Sequence, residues 1–223
     1  MSTVAFDTST AATIVAVDSG GTIRWRRLEP PAGGRPGHSA QLLEGLESLL
    51  AEAGSSWDEV GTIGVGAGPG TFTGLRISAA TAEGLRRATG ARVVAVDSLE
   101  ALALPALRAC GGRPVCAVID ARRGELFAAG WAADGDRIFG PVALGPEALD
   151  EVLAGRPWVV AGVIPEGFAP GAGSDVADWL EPADPLNLIA GEALCELASR
   201  GPATTGPVVP EYVRAPDAER PGR

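Results

Sequence analysis

Asp7-Thr8-Ser9-Thr10 is the first run in this sequence that could do chemistry, a carboxylate and three hydroxyls directly after an apolar stretch. Such a set can hold a metal-bound phosphate. It can equally end a strand as an Asx or Ser/Thr turn, its side chains bonded to their own backbone. A second acidic position opens Asp120-Ala121-Arg122-Arg123-Gly124-Glu125, a charged knot that is either a functional surface or a loop of local ion pairs. Between the two lies Val60 to Gly90, with glycine at positions 61, 64, 66, 68, 70 and 74. A strand, a Pro69-Gly70 turn and a helix start make a place where an anion or a partner's backbone can sit close. The dinucleotide fingerprint is missing. Pro69 stands where its last glycine belongs, and Gly90 rather than an acid lies about twenty residues on. The candidate anion or nucleotide contacts are Asp7, Thr8, Ser9, Gly68, Gly70, Thr71 and Thr73.

Composition removes several reaction classes. All 18 basic residues are arginine, so no P-loop lysine or Schiff-base lysine exists. The single histidine, His38, excludes any site built on two histidines. His38 and Ser39 are sequence neighbours at a helix start, where two side chains do not face each other as a dyad requires. Ser39 reads as an N-cap and His38 as an exposed or hydrogen-bonded loop residue. The cysteines, Cys110, Cys116 and Cys195, form no C-x-x-C pair and read as reduced thiols. The net charge of −10 and pI near 4.6 make the chain a poor polyanion binder, so basic surface for nucleic acid must come from another subunit. There is no signal-like N-terminus and no membrane-length apolar run, which gives a cytoplasmic expectation.

The elements that position these residues follow from period and punctuation. With 223 residues and 46% hydrophobic content rich in Ala, Gly, Leu and Val, the chain suits short side chains packed against sheets. Strands are expected at 3–7, 12–18 and 22–28, the last two joined by a Ser19-Gly20-Gly21 turn. An amphipathic helix over 39–53 presents Leu42, Leu43, Leu46, Leu49 and Leu50. After the glycine-rich strand, Thr71 or Thr73 caps a helix over 74–89 that stops at Gly90. A strand follows at 92–97, and Ser98 is expected to cap a helix to about 109. The second half restarts with strands at 115–120, 125–131 and 137–142, a helix over 147–154, a strand at 158–162 and an irregular loop over 165–173. Asp184-Pro185 opens a last helix over 186–200. FDTSTAATIVAVDSGGTIRW and IDARRGELFAAGWAADGDRIF share one pattern, with Asp7 and Asp120 in the same place, so the chain reads as an internal duplication. The division is 1–108, 109–213 and a mobile polar tail 214–223.

Taken together, FDTST, HSAQLLEGLESLL, GVGAGPGTFTGLRISAATAEGLRRATG, VVAVDSLEALA, VIDARRGELFAA and PEYVR resemble the TsaB (YeaZ) family, strongly over 1–132 and loosely beyond. The resemblance implies an α/β, duplicated ASKHA fold of the actin, Hsp70 and sugar-kinase kind with a reduced second subdomain. It implies a role in forming N6-threonylcarbamoyladenosine at A37 of tRNAs that read codons beginning with A. Family members pair with their paralogue TsaD, the transferase subunit, whose metal-binding helix carries H-x-x-x-H, and the ATPase TsaE joins the pair. They also self-associate, which allows a homodimer here.

By that resemblance this chain is a non-catalytic scaffold and activator with no cofactor or metal of its own. ATP and a metal ion belong to the partner subunits, and tRNA is met only through the complex. The family's interface helices fall on 39–53 and 74–89, with Leu42, Leu46, Arg76, Ile77, Ala80 and Gly84 as contact positions. The residues alone leave two other classes open. One is a small ATP-binding phosphotransferase or ATPase of the same fold using Asp7 and Asp120, and the other an M22-type metallopeptidase, which a single histidine opposes.

Overall fold

In the first sheet, alternation along one strand decides what each face can hold. The computed structural model describes residues 1–31, 34, 36–165, 178–181 and 183–214. This sheet comprises β1 (Ser2–Asp7), β2 (Thr13–Ser19), β3 (Thr22–Leu28), β4 (Val60–Gly68) and β5 (Arg92–Asp97), in the order β3-β2-β1-β4-β5. The β1–β2 and β2–β3 pairs are antiparallel, and β1–β4 and β4–β5 are parallel. Gly20 and Gly21, at φ 62° and 81°, make the two-residue turn that joins β2 to β3 without splaying them.

On β4, Ile63 and Val65 point into a core with Val4, Phe6, Val15, Val17 and the buried face of helix α1 (His38–Glu52). The alternate position Gly64 faces the other way, against helix α5 (Gly191–Arg200). A Cβ on Gly64 would stand 2.5 Å from the Ala198 Cβ, and one on Gly191 would stand 2.3 Å from the Trp25 Cβ. Glycine at these two places lets α5 lie close on the sheet. The Arg92 guanidinium then caps the end of α5, donating to the carbonyls of Ala198, Ser199 and Gly201 at 3.0–3.2 Å.

Helix α2 (Phe72–Thr89) follows β4 and ends where expected, at Gly90 with φ 73°. Helix α3 (Ser98–Ala109) follows β5. The second sheet comprises β6 (Val115–Arg122), β7 (Glu125–Trp131), β8 (Arg137–Leu144), β9 (Val159–Ala161) and β10 (Asp178–Trp179), with helix α4 (Pro146–Leu153) between β8 and β9. Its order, β8-β7-β6-β9-β10, repeats the first sheet's connectivity, antiparallel for the hairpins and parallel for the last two strands. Two copies of one topology, the second with strands of three and two residues at its far edge, make this the duplicated ASKHA fold with a reduced second subdomain. Asp7 pairs with Ile14 but Asp120 with Leu126, because the second hairpin has a register shift after Asp120.

Several expectations change. The chain divides into a first unit of Met1–Ala101 with Ile189–Glu211, and a second of Leu102–Leu188 with the described residues from Tyr212. The last helix therefore belongs with the first sheet, where a cut at 108/109 had separated them. It also starts at Gly191, not at 186. Asp184 accepts from the Leu186 N–H at 2.8 Å, but this supports only a short turn, Pro185–Asn187. The buried Asn187 amide is then held by the second unit, accepting from Gly162 N–H at 2.8 Å and donating to Glu181 O at 2.7 Å. Strand β10 carried no sequence signal of its own. Most of the 165–173 loop and the tail beyond 214 lie outside the described residues.

Candidate functional site

The loop between β1 and β2 has its polar groups turned inward. Asp7, Thr8 and Ser9 are all fully buried. Asp7 Oδ1 accepts from Ser9 N–H at 2.7 Å and from the Ser9 hydroxyl at 2.6 Å, and Asp7 Oδ2 accepts from the Ser98 hydroxyl at 2.6 Å. The first two bonds are the Asx turn; the third ties the loop to the start of α3. Ser98 is therefore not the α3 cap. Asp97 takes that role, its Oδ1 accepting from Leu99 and Glu100 N–H at 2.8 and 3.1 Å.

The glycine turn is fitted to the same loop. A Cβ on Gly66 would stand 1.9 Å from Asp7 Oδ2, one on Gly70 2.4 Å from the Ser9 Cβ, and one on Gly74 1.8 Å from Thr8 O. Gly68 is buried at φ 110°. Thr71 N–H donates to Ser9 O at 2.8 Å, and the Thr71 hydroxyl caps α2 by accepting from Gly74 N–H at 3.3 Å. Two of the donors an anion would use at this helix start are thus engaged inside the chain. Thr73, which could also have been the cap, is exposed.

The two amphipathic helices separate into inner and outer faces, and this corrects two of the expected contact positions. Leu42 and Leu46, at 1% and 0% exposure, belong to the core beneath α1 and cannot meet a partner. Beside them Leu43 is 43% exposed. On α2, Gly74, Leu75, Ser78 and Ala82 are buried, whereas Arg76, Ala80 and Gly84 are exposed and Ile77 is half-buried. Phe72, 46% exposed, begins this outer face, and the Arg76 guanidinium lies over its ring at 5.2 Å. Nothing lies within 4 Å of where a Gly84 Cβ would be. Next to Gly84, Arg86 and Arg87 both bond the Glu83 carboxylate and hold its pKa down at about 2. The outer face of α2 carries Ile77, Ala80 and Gly84 between an aromatic–arginine pair at one end and the Glu83–Arg86–Arg87 charge cluster at the other. Read from the sequence, Leu43 falls on one face with Leu42, Leu46, Leu49 and Leu50, and Phe72 is not singled out. Their signal was an apolar residue just outside the buried set of a helix whose inner face was already filled.

The remaining candidates are accounted for locally. His38 is the first residue of α1 and is buried, with Nδ1 2.8 Å from the Thr13 hydroxyl. Burial lowers its pKa below 6.5. Ser39 is exposed and does not cap, because α1 begins one residue earlier, after Gly37. In the second unit, Asp120 accepts from Arg122 N–H at 2.7 Å and pairs with its guanidinium at 3.0 Å. Arg214 joins Glu125 at 2.7 Å and Ala121 O at 3.0 Å. The cysteines are free; burial pushes Cys116 up and Cys195 up to about 12, so both stay protonated. Among the described residues no three His, Cys, Asp or Glu side chains gather as a metal site, and no helix is long and apolar enough to cross a membrane.

A family model described as TsaD: tRNA N6-adenosine threonylcarbamoyltransferase matches residues 30–152. The tRNA threonylcarbamoyladenosine biosynthesis protein TsaB of Escherichia coli (strain K12) is 32% identical over 169 residues, covering 73% of this chain and 71% of that protein. An uncharacterized protein of Mycobacterium tuberculosis is 33% identical over 189 residues, 82% of this chain and 77% of that one. Among solved structures, an uncharacterized Pseudomonas aeruginosa protein with similarity to the peptidase YeaZ superposes with TM-score 0.74 at 30% identity, over 96% of this chain and 99% of that one. YeaZ from Pseudomonas aeruginosa gives TM-score 0.68 at 29% identity, over 89% and 90%.

Proposed function

The chain belongs to the TsaB (YeaZ) family, and from that membership we propose that it serves tRNA threonylcarbamoyladenosine biosynthesis as a non-catalytic subunit that docks on TsaD. One observation carries the mechanism. The face of α2 made by Phe72, Arg76, Ile77, Ala80 and Gly84 is left outward, while the inner face is fastened to the sheet and to the β1–β2 loop. Small residues let a second helix approach closely, and Phe72 and Leu43 add apolar area at the margin. The partner's active-site geometry is biased because only one of its arrangements fits a rigid helix.

The non-catalytic role is supported by how the candidate chemical groups are used. The Asp7 carboxylate is surrounded by three donors of its own chain, and the His38 ring is buried against Thr13. The thiols are held protonated by burial. ATP and the metal ion act on the partner subunits TsaD and TsaE, and tRNA is met through the complex, as the net charge of −10 favours. Self-association through the α2 face gives a homodimer when TsaD is scarce.

The test is reconstitution on unmodified tRNA with purified TsaD and TsaE. The modified adenosine should form when this chain is present and fall to background without it. Equal yield in its absence overturns the proposal.

A further inference from the structure

The outer face of α2 is offered to a partner, and its inner face is gripped by one side chain. Thr8 Oγ1 donates to the Gly74 carbonyl at 2.7 Å and lies 2.5 Å from the Ser78 hydroxyl. Gly74 and Ser78 are four residues apart, so Thr8 holds two successive turns of the helix at once. Thr8, Ser78, Asp7 and Ser98 are all fully buried.

The grip has a firm base. Asp7 collects Ser9 N–H, the Ser9 hydroxyl and the Ser98 hydroxyl, which fixes the β1–β2 loop against the start of α3. Thr71 N–H reaches back to Ser9 O at 2.8 Å. The Gly74 Cα lies so close to Thr8 O that a Cβ would stand 1.8 Å away. Exposed Thr73 and half-buried Ile77 directly precede the two gripped residues Gly74 and Ser78. Any turn of α2 about its axis that moves Gly74 and Ser78 off Thr8 therefore moves the outer strip by the same angle.

A helix does not need this contact in order to form. Without Thr8 Oγ1, the Ser78 hydroxyl can turn back to the Gly74 carbonyl one turn earlier, a bond that stabilises no particular orientation of the helix on the sheet. A buried hydroxyl pair that bridges a loop and a helix does specify orientation, because each partner is costly to leave unbonded. We infer that Thr8, acting with Ser78, is a positioning residue for partner docking. It sets the rotation of α2 so that Ile77, Ala80 and Gly84 meet the partner in one arrangement. The inference rests on the docking role proposed above.

The test uses the full chain and purified TsaD, with affinity by calorimetry and Tm for each variant. Thr8→Val keeps the shape and removes the donor; it should weaken TsaD binding about tenfold, while Thr8→Ser stays within about twofold of the unaltered chain. Leu149→Ala, in the core of the second unit, is the stability control. It should lower Tm at least as much and leave the affinity unchanged. In the tRNA assay, excess Thr8→Val chain should restore the full rate, placing the effect in assembly rather than in turnover. Should Thr8→Val fail to fold, Ser78→Ala carries the same expectation. Thr8→Val binding as tightly as the unaltered chain, or Leu149→Ala weakening binding equally, overturns the positioning role. Gly84→Arg separates the two readings. If it abolishes binding while Thr8→Val does not, docking through α2 stands and the positioning role falls. If Gly84→Arg also binds normally, both fall.

Discussion

The Cα of Gly66 lies against the carboxylate of Asp7, so close that a Cβ on Gly66 would stand 1.9 Å from Asp7 Oδ2. Glycine is required there by a neighbour, not by its own backbone freedom. Gly66→Ala must push Asp7 away from Ser9 and Ser98, and should lower stability by about 2–3 kcal/mol. Gly84→Ala, on the open face of α2, should instead raise it by about 0.5–1 kcal/mol through helix propensity. Denaturant unfolding of the two variants checks the opposite signs.

Ser98, expected from the sequence to cap α3, bonds Asp7 instead, and Asp97 supplies the cap. Ser98→Ala takes one donor from a fully buried carboxylate and should cost about 1–3 kcal/mol. Asp97→Ala removes the α3 cap and should cost about 1 kcal/mol. Amide exchange separates them: loss of the cap should speed exchange at Leu99 and Glu100, whose N–H groups bond Asp97. Loss of the Ser98 hydroxyl should speed exchange at Ser9, whose N–H bonds Asp7.

Leu42 and Leu43 are sequence neighbours with opposite fates. Leu42→Ala, in the core, should cost about 2–5 kcal/mol. Leu43→Ala should change stability by less than about 0.5 kcal/mol and weaken TsaD binding about threefold to tenfold. Thermal unfolding and calorimetric titration, run on both variants, test the exchange of roles.

These leucines also mark how far the sequence could be read. Helical period identified the amphipathic helix and its buried stripe, but residues 100° apart at the edge of a stripe are not separated by period alone. Strands with strong apolar runs, such as Arg92–Asp97, were legible to the residue. The duplication was legible because Asp7 and Asp120 follow equivalent apolar runs in the same pattern, although β1 ends at Asp7 and β6 runs on to Arg122. What could not be read depended on distant partners. The Thr8 hydroxyl meets Gly74 and Ser78, 66 and 70 residues away, and the Ser98 hydroxyl meets Asp7 across 91. No local pattern encodes such a pairing. Strand β10, two residues long, is placed by its pairing to β9, by Arg113 bonding Asp178 at 2.7 Å, and by Trp179 packing on the second core.

His38 gives the stability a definite pH dependence. Burial lowers its folded-state pKa below 6.5, opposed in part by the Asp7 charge and a bond to the Thr10 backbone. The unfolded chain therefore binds the proton more readily. The stabilisation is complete above pH 6.5 and is lost as pH falls below that value toward the folded-state pKa. With a single histidine in the chain, His38→Gln should flatten the slope of unfolding free energy just below pH 6.5. An unchanged slope in that window contradicts the assignment.

The outer face of α2 is the surface proposed above to meet TsaD. Calorimetric titration of TsaD with the Gly84→Arg chain is the decisive measurement, because nothing lies within 4 Å of a Cβ at Gly84 in the free molecule. The affinity should be at least about thirtyfold weaker than that of the unaltered chain, with Tm unchanged. Binding of Gly84→Arg to TsaD with undiminished affinity would contradict that proposal.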